Sequence, residues 1–270
     1  KPFEVILMDN ANDSPESQGK LHAFPPNGSV SLIIPVWNGE RNIATAISET
    51  RSALLGAGFR DFEIIIAEDC STDRTVELVR ESMAKWKEVR LMQSPGGKRR
   101  GKGKSISDAI AASGQERVIF IDADLSPSVS GIPKLLAGLE KADIAIGSRF
   151  LPNSDVQRGA FRGMFSTIYN LMAGLLFGSR IHDYQCGFKA FRRSSVLSIL
   201  ALVKDRHWFW DTELLVRAQK KGISILEIPI AWKEGGGSTF NVFSGSAGLF
   251  FSLLRLYFGL YLSEGGYKKI

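Results

Sequence analysis

Two aspartates, Asp122 and Asp124, stand i, i+2 where the apolar run Val118-Ile119-Phe120-Ile121 stops. Four residues that are mostly β-branched or aromatic predict a strand buried on both faces, and its end is where such a strand surfaces. In an open α/β sheet ligands bind at that carboxyl edge, and paired carboxylates there suit a hard divalent cation that carries substrate phosphates. An Asp-x-Asp pair also makes a polar stop before a turn, here Ser126-Pro127, so it has to be read with the other strand ends. Those ends carry chemistry too. The apolar run 30–35 leads into Trp37 and Glu40, the run 62–67 into Glu68-Asp69-Cys70-Ser71-Thr72-Asp73, and the run 143–148 into Arg149.

The elements that must position these residues alternate. Strands are predicted over 30–35, 62–67, 89–92 and 118–121, with helices between them over 43–55, 75–86 and 105–113, the second capped by Ser71 or Thr72. Such alternation implies right-handed crossovers and an α/β fold with a mostly parallel central sheet flanked by helices. Further on, the patterns predict a helix over 132–141, a strand over 143–149, an irregular stretch over 150–162 and an apolar helix over 164–177. A strand of mixed polarity over 183–191 comes next, then helices over 194–202 and 211–221, a strand over 223–230 and an apolar helix over 247–262 broken by Arg255. The expected organisation is a loosely structured leader over 1–29, in which 3–8 could add an edge strand, an α/β domain over 30–244 and a C-terminal apolar helix over 245–270.

At 270 residues and 44% hydrophobic content the chain can bury a substantial core. A net charge of +6 favours an anionic partner without choosing among nucleotides, lipid phosphates, acidic membranes and nucleic acids. With only Cys70 and Cys186 there is no disulfide framework, and His22, His182 and His207 are too scattered for a zinc site. A polar opening without a signal-like segment makes a reducing, cytosol-facing compartment the expectation, and the sequons at Asn12 and Asn27 are read as chance. The loop 95–105 fails as a P-loop, because Lys98 stands where the Gly103-Lys104-Ser105 register needs glycine, and Gly103 comes after Gly101-Lys102 where Ser or Thr is required.

In their order and spacing, the segments Ile34-Pro35-Val36-Trp37-Asn38-Gly39-Glu40, Glu68 to Asp73, Gly101-Lys102-Gly103, Asp122-Ala123-Asp124, Gly147-Ser148-Arg149, Asp183-Tyr184-Gln185-Cys186-Gly187-Phe188-Lys189 and Trp232-Lys233-Glu234 carry a resemblance. They resemble the family 2 glycosyltransferases of GT-A fold, and within these the dolichyl-phosphate glucosyltransferase and mannose synthase group. The resemblance implies a nucleotide-sugar site made by Pro35, Trp37, Glu40, Asp69, Lys102, Asp122, Ala123 and Asp124. Trp37 would stack on the base and Asp69 accept from its imino nitrogen, against plain roles as core and helix cap. Asp124, with Asp122 behind it, would hold Mg2+ or Mn2+. Ser126 stands where mannose synthases often carry Gln, which leans toward the glucosyl branch.

Arg149 and Arg162 are the candidates for clamping a phosphate, while Arg158 reads more as a surface ion pair. Implied partners are UDP-glucose or GDP-mannose, a dolichyl or other polyprenyl phosphate, and a membrane surface at its cytoplasmic face, with no nucleic acid. A lipid phosphate is already an anion and needs no general base; Gln185 and Lys189 would then shape the acceptor side, and inversion is expected. A glycan hydroxyl acceptor would need a base, with Asp183 or Asp211 as candidates. A remoter reading is a nucleotide- or nucleic-acid-binding module built on the basic loop, without a recognised motif to support it. The helices over 164–177 and 247–262 are too short to span a bilayer and suit docking in its plane, with core burial open for the first.

Overall fold

A computed structural model describes the backbone of residues 5–7, 28–235 and 242–261, and the side chains of 28–159, 163–235 and 248–261. In chain order the elements are β1 (Val5–Leu7), β2 (Val30–Val36), α1 (Ile43–Gly56), β3 (Phe62–Glu68), α2 (Thr75–Lys85), β4 (Val89–Gln93), α3 (Lys102–Ala112), β5 (Arg117–Ile121) and α4 (Ile132–Gly138). Then come β6 (Ile144–Ser148), β7 (Asp155–Gln157), α5 (Ala160–Phe177), β8 (Phe188–Arg192), α6 (Arg193–Leu200), α7 (Trp210–Lys220), β9 (Ile225–Pro229), β10 (Ala231–Lys233) and α8 (Val242–Tyr261). Eight strands form one sheet in the order β1-β9-β6-β8-β5-β2-β3-β4, and β7 pairs with β10 beside it.

All residues of β2 and β5 are buried, as the apolar runs require. The period of two in a strand sends Leu32, Ile34, Ile119 and Ile121 into a core layer with α1 and α4. Ile33, Val118 and Phe120 enter the opposite layer, with α3, α6, α7 and the inner faces of α5 and α8. Truncating a side chain such as Phe120 to alanine costs about 3–5 kcal/mol.

One strand departs from the parallel pattern. β8 runs antiparallel between β5 and β6, with Ile121 paired to Phe188 and Ile146 to Lys189. The expected strand over 183–191 is therefore half loop, since residues 183–187 precede β8 and lie at the carboxyl edge of its neighbours. Two other starts differ from expectation. α3 begins at Lys102, three residues before the expected 105, because Gly101 adopts φ 95° and ends the basic loop there. α2 is not capped by Ser71 or Thr72, whose polar groups turn to Asn38; Asp73 Oδ1 accepts from the Thr75 amide at 3.0 Å instead. The stretch 150–162 includes β7 and the first turn of α5. In the leader, Val5–Leu7 pairs in parallel with β9 as an edge strand, and the rest of 1–27 lies outside the described residues.

α5 buries Tyr169, Ala173 and Phe177 and exposes Met164, Ile168, Leu171 and Leu175. α8 packs against it, buries Leu253 and Leu256, and exposes Phe251, Leu254 and Phe258. Among the described residues no helix is long and apolar enough to cross a membrane.

Candidate active site

The loops after β2 and β3 are stitched together. Asn38 donates its amide to Ser71 Oγ at 2.9 Å, and its Oδ1 accepts from the Thr72 amide at 2.8 Å; Gly39 N donates to Thr75 Oγ1 at 2.8 Å. These bonds hold Trp37 and Asp69 on one wall of a cavity of about 320 Å³. Pro35 lines it too. Glu40 does not: its carboxylate accepts from the Arg74 amide at 3.1 Å, ahead of α2, so the expected nucleotide contact is replaced by a structural one.

Asp69 is 3% exposed and already much used. Its Oδ1 accepts from Arg100 N at 2.6 Å and Ser94 Oγ at 2.9 Å, and its Oδ2 from Gly101 N at 2.9 Å. A carboxylate has about four acceptor positions; the fourth is faced by Arg99 Nε at 3.6 Å from Oδ2, beyond hydrogen-bond distance, and stays open to a ligand. The basic loop is thus drawn inward. Arg99 lies 3.6 Å from the Trp37 ring centroid, Arg100 pairs with Asp108 at 2.8 Å, Lys104 pairs with the same aspartate, and Lys102 reaches the acidic pair. Gly101 is required here twice over, for its positive φ and because a Cβ would stand 2.3 Å from Arg206 O.

Asp122 and Asp124 both line the cavity, as their place after β5 predicts. Asp122 is fixed by three groups: Lys102 Nζ at 2.8 Å, its own amide bonded to Gly187 O at 3.1 Å, and the bare Cα of Gly187, whose Cβ would stand 1.9 Å from Asp122 Oδ2. Burial raises the Asp122 pKa, and the charge of Asp124 adds to it against the pull of Lys102. For Lys102 burial works the other way, but Asp122, Asp211 and Asp124 outweigh it and hold the ammonium above its ordinary value. Asp124 Oδ1 accepts from the Ser126 amide at 3.0 Å, and Ser126 Oγ accepts from Gly235 N at 3.1 Å.

Arg149 enters from β6 and is gripped by Asp183: Nε to Oδ2 at 2.7 Å, Nη2 to Oδ1 at 2.8 Å, and its amide to Oδ2 at 3.0 Å. Burial pushes the Asp183 pKa up, but Arg149 more than offsets it, and the carboxyl is held below its usual range. Asp183 is fully buried, bonds Arg149 through both carboxylate oxygens and lies outside the cavity lining, away from where a base for a hydroxyl acceptor would stand. Asp211 is no better placed, being 2% exposed and paired with Lys189 Nζ at 2.6 Å. Lys189, expected on the acceptor side, is fully buried under the sheet edge. Gln185 does line the cavity, and its Nε2 donates to Thr212 Oγ1 at 2.6 Å, which in turn meets Tyr169 OH at 2.7 Å. The side chain of Arg162 lies outside the described residues.

Several lining residues were not expected. Asn38, Trp208 and Trp232 belong to loops and a short strand without periodicity, His207 is isolated in sequence from the other histidines, and Arg158, expected at the surface, faces the cavity. A signal for Trp232 is present in the Trp-Lys-Glu segment.

Residues 31–200 match the model described as "Glycosyl transferase family 2". The chain belongs to that family. Glycosyltransferase AglD of Haloferax volcanii is 33% identical over 86% of this transferase, which spans 37% of AglD's own length. Human dolichyl-phosphate beta-glucosyltransferase is 30% identical, with 79% of this chain and 70% of the human one covered. The Saccharomyces cerevisiae enzyme of the same name is 29% identical over 77% of this chain and 68% of its own. Among solved structures, glucosyl-3-phosphoglycerate synthase from Mycobacterium tuberculosis, in complex with Mn2+, UDP and phosphoglyceric acid, superposes with a TM-score of 0.66 at 18% identity. That superposition covers 85% of this chain and 78% of the synthase. The transferase has the GT-A fold that the sequence led us to expect, and the nucleic-acid-binding module gives way to it.

The acidic pair fits a divalent cation. Two carboxylates face one cavity, burial raises Asp122 with the charge of Asp124 adding to it, and among the described residues no third His, Cys, Asp or Glu joins them. Two protein ligands with the rest supplied by water and substrate phosphate is the usual arrangement for magnesium.

Proposed function

We propose that this transferase moves glucose from UDP-glucose to the phosphate of dolichol or a related polyprenol, with inversion at the anomeric carbon. The observation that carries the reading is the chemistry of the cavity lining apart from the Asp122–Asp124 pair. It offers Arg149, Arg158 and Gln185, while Asp183 and Asp211 are both spent in buried ion pairs. Two arginines and an amide, with neither candidate base free, suit an acceptor that is already an anion and needs no proton removed. The names of the curated relatives support glucose and dolichyl phosphate, and Ser126 supports the glucosyl branch over the mannosyl one.

In this reading Trp37 and the remaining acceptor position of Asp69 hold the base, and Lys102 faces the diphosphate. Asp122 and Asp124 would hold Mg2+ or Mn2+, which neutralises charge on the departing nucleotide. An oxygen of the lipid phosphate attacks the anomeric carbon in line, and the bond to the nucleotide diphosphate breaks with its electron pair leaving on the diphosphate. The exposed apolar residues of α5 and α8, among them Leu171, Leu175 and Phe251, lie in the membrane interface at the cytoplasmic face and admit the lipid chain.

The test is a panel of sugar nucleotides offered with farnesyl phosphate and a divalent metal, the product identified by mass. UDP-glucose should give an organic-soluble glucosyl phosphate. Asp124→Ala should lose transfer by at least about 10³-fold with its melting temperature kept. A product made only on a glycan hydroxyl, partitioning into water, overturns the reading.

A further inference from the structure

We propose that Arg158 is a ligand of the acceptor's phosphate, a guanidinium held without a counter-ion among the described residues so that an incoming oxyanion supplies one. The proposal rests on the acceptor reading above and assigns a residue to it. Arg158 lines the cavity beside Arg149, yet the two arginines differ in what they have left to give. Arg149 has committed Nε and Nη2 to Asp183 in a two-pronged pair. Arg158 Nη1 is buried and has no hydrogen-bond partner among the described residues.

The surroundings of Arg158 hold it in place without neutralising it. Its Cζ lies 4.7 Å from the Phe150 ring centroid, and it folds back over the first turn of α5, where a Cβ on Gly163 would come 3.4 Å from its Nε. Burial and the neighbouring charge of Arg149 both weaken its hold on the proton, and the charges of Asp183 and Glu234 offset them only in part. A half-buried guanidinium beside another, with its Nη1 buried and unpartnered among the described residues, is costly by itself. An oxyanion bridging the two removes that cost, and a phosphate ester matches the planar fork.

Position selects the acceptor over the donor. The donor end is marked by Trp37, Asp69, Lys102 and the acidic pair. Arg158 stands just ahead of α5, whose Phe165, with Leu249 of α8, lines both the main cavity and a smaller one of about 50 Å³ between those two helices. A phosphate attached to an apolar chain that leaves toward the exposed face of α5 and α8 meets Arg158 on its way in.

The experiment measures binding of farnesyl phosphate and of farnesol by titration calorimetry, with UDP and Mg2+ present, for wild type, Arg158→Gln and Arg158→Lys. Melting curves establish that each variant is folded. Wild type should prefer the phosphate to the alcohol. Arg158→Gln should lose about 10- to 100-fold for farnesyl phosphate and nothing for farnesol, with Arg158→Lys in between and KM for UDP-glucose within about twofold of wild type. A preference for phosphate that survives in Arg158→Gln overturns the assignment, as does a variant whose donor KM rises while its acceptor affinity stays. A wild-type protein that binds farnesol as well as farnesyl phosphate overturns the acceptor reading itself, which separates the two failures.

Discussion

Gly187→Ala is the smallest change that should disable the acidic pair. The added Cβ would stand 1.9 Å from Asp122 Oδ2 and 2.5 Å from its Cγ. An ordinary carbon–oxygen contact is about 3.3 Å, so the carboxylate or the loop must yield by roughly 1.4 Å. Neither can do so freely. Turning the Asp122 side chain breaks its 2.8 Å pair with Lys102, and shifting the loop breaks the 3.1 Å bond from Asp122 N to Gly187 O and the register of Ile121 with Phe188. A misplacement of about 1 Å in a catalytic array costs on the order of 10²-fold, so kcat should fall by about 10²-fold or more. The overlap falls on a side chain at the cavity wall, so overpacking should cost only about 1–2 kcal/mol, a loss of a few degrees in melting temperature. Gly187 does not have a positive φ, so alanine meets no backbone penalty there. Steady-state transfer rates and a melting curve decide it: an alanine variant with wild-type kcat, or one that is inactive because it has unfolded, refutes the argument that Gly187 is there to clear Asp122.

Asp183→Asn should lose about 3 kcal/mol in denaturant unfolding, because the amide leaves a buried arginine without its countercharge. The Asp183 pKa is depressed in the fold, so its contribution is complete above the unfolded value near 3.8 and is lost only as pH falls through the lower folded value. The gap between wild type and variant should therefore be flat from about pH 6 to 8 and close only in acid. Lys102→Gln removes the charge that opposes the raised pKa of Asp122, so the acid limb of the kcat/KM profile should move to higher pH; an unmoved limb would mean that Asp122 does not govern it. Vesicle sedimentation with Leu175→Ser and Phe251→Ser together, at positions 75% and 80% exposed, should show binding weakened by about 10-fold or more with transfer to a detergent-soluble acceptor kept.

Much of the site was legible because it is local. Four apolar residues ending in Asp-Ala-Asp announce a buried strand and its tip; Trp37, Asp69 and Arg149 reach the cavity as their places at strand ends imply, and Lys102 and Gln185 as the family resemblance implies. The features that sequence missed depend on partners remote along the chain. Asp183 and Asp211 look like free acids until Arg149 and Lys189 are found on them, 34 and 22 residues away. The same pairing hides Lys189, whose charge makes the stretch before residue 191 read as half exposed. Its side chain is fully buried against Asp211 in a strand buried throughout. The cap of α2 differs from expectation because Ser71 and Thr72 serve Asn38 across the sheet edge, a demand that no local pattern records.

The reversal of β8 is what holds the acidic pair and Arg149 at one cleft. In a wholly parallel sheet every strand delivers its C-terminal residues to the ligand edge, and the chain then usually continues through a loop into a helix. β8 instead brings its N-terminal side to that edge, between the ends of β5 and β6. The segment 183–187 is thereby pinned between Asp122 and Arg149: Gly187 bonds the Asp122 amide, Asp183 grips the Arg149 fork, and Gln185 faces the cavity between them. Asp183 and its neighbour His182 are anchored from behind by Glu227 of β9, which is fully buried and accepts both their amides, at 3.1 and 2.9 Å. A loop on the far side of a helix would have to order itself around two opposite charges, whereas this one is fixed at its end by a strand ladder and at its start by a buried carboxylate. The acidic pair and Arg149 are therefore set in register by the same few residues, and a change in that short loop should move both together.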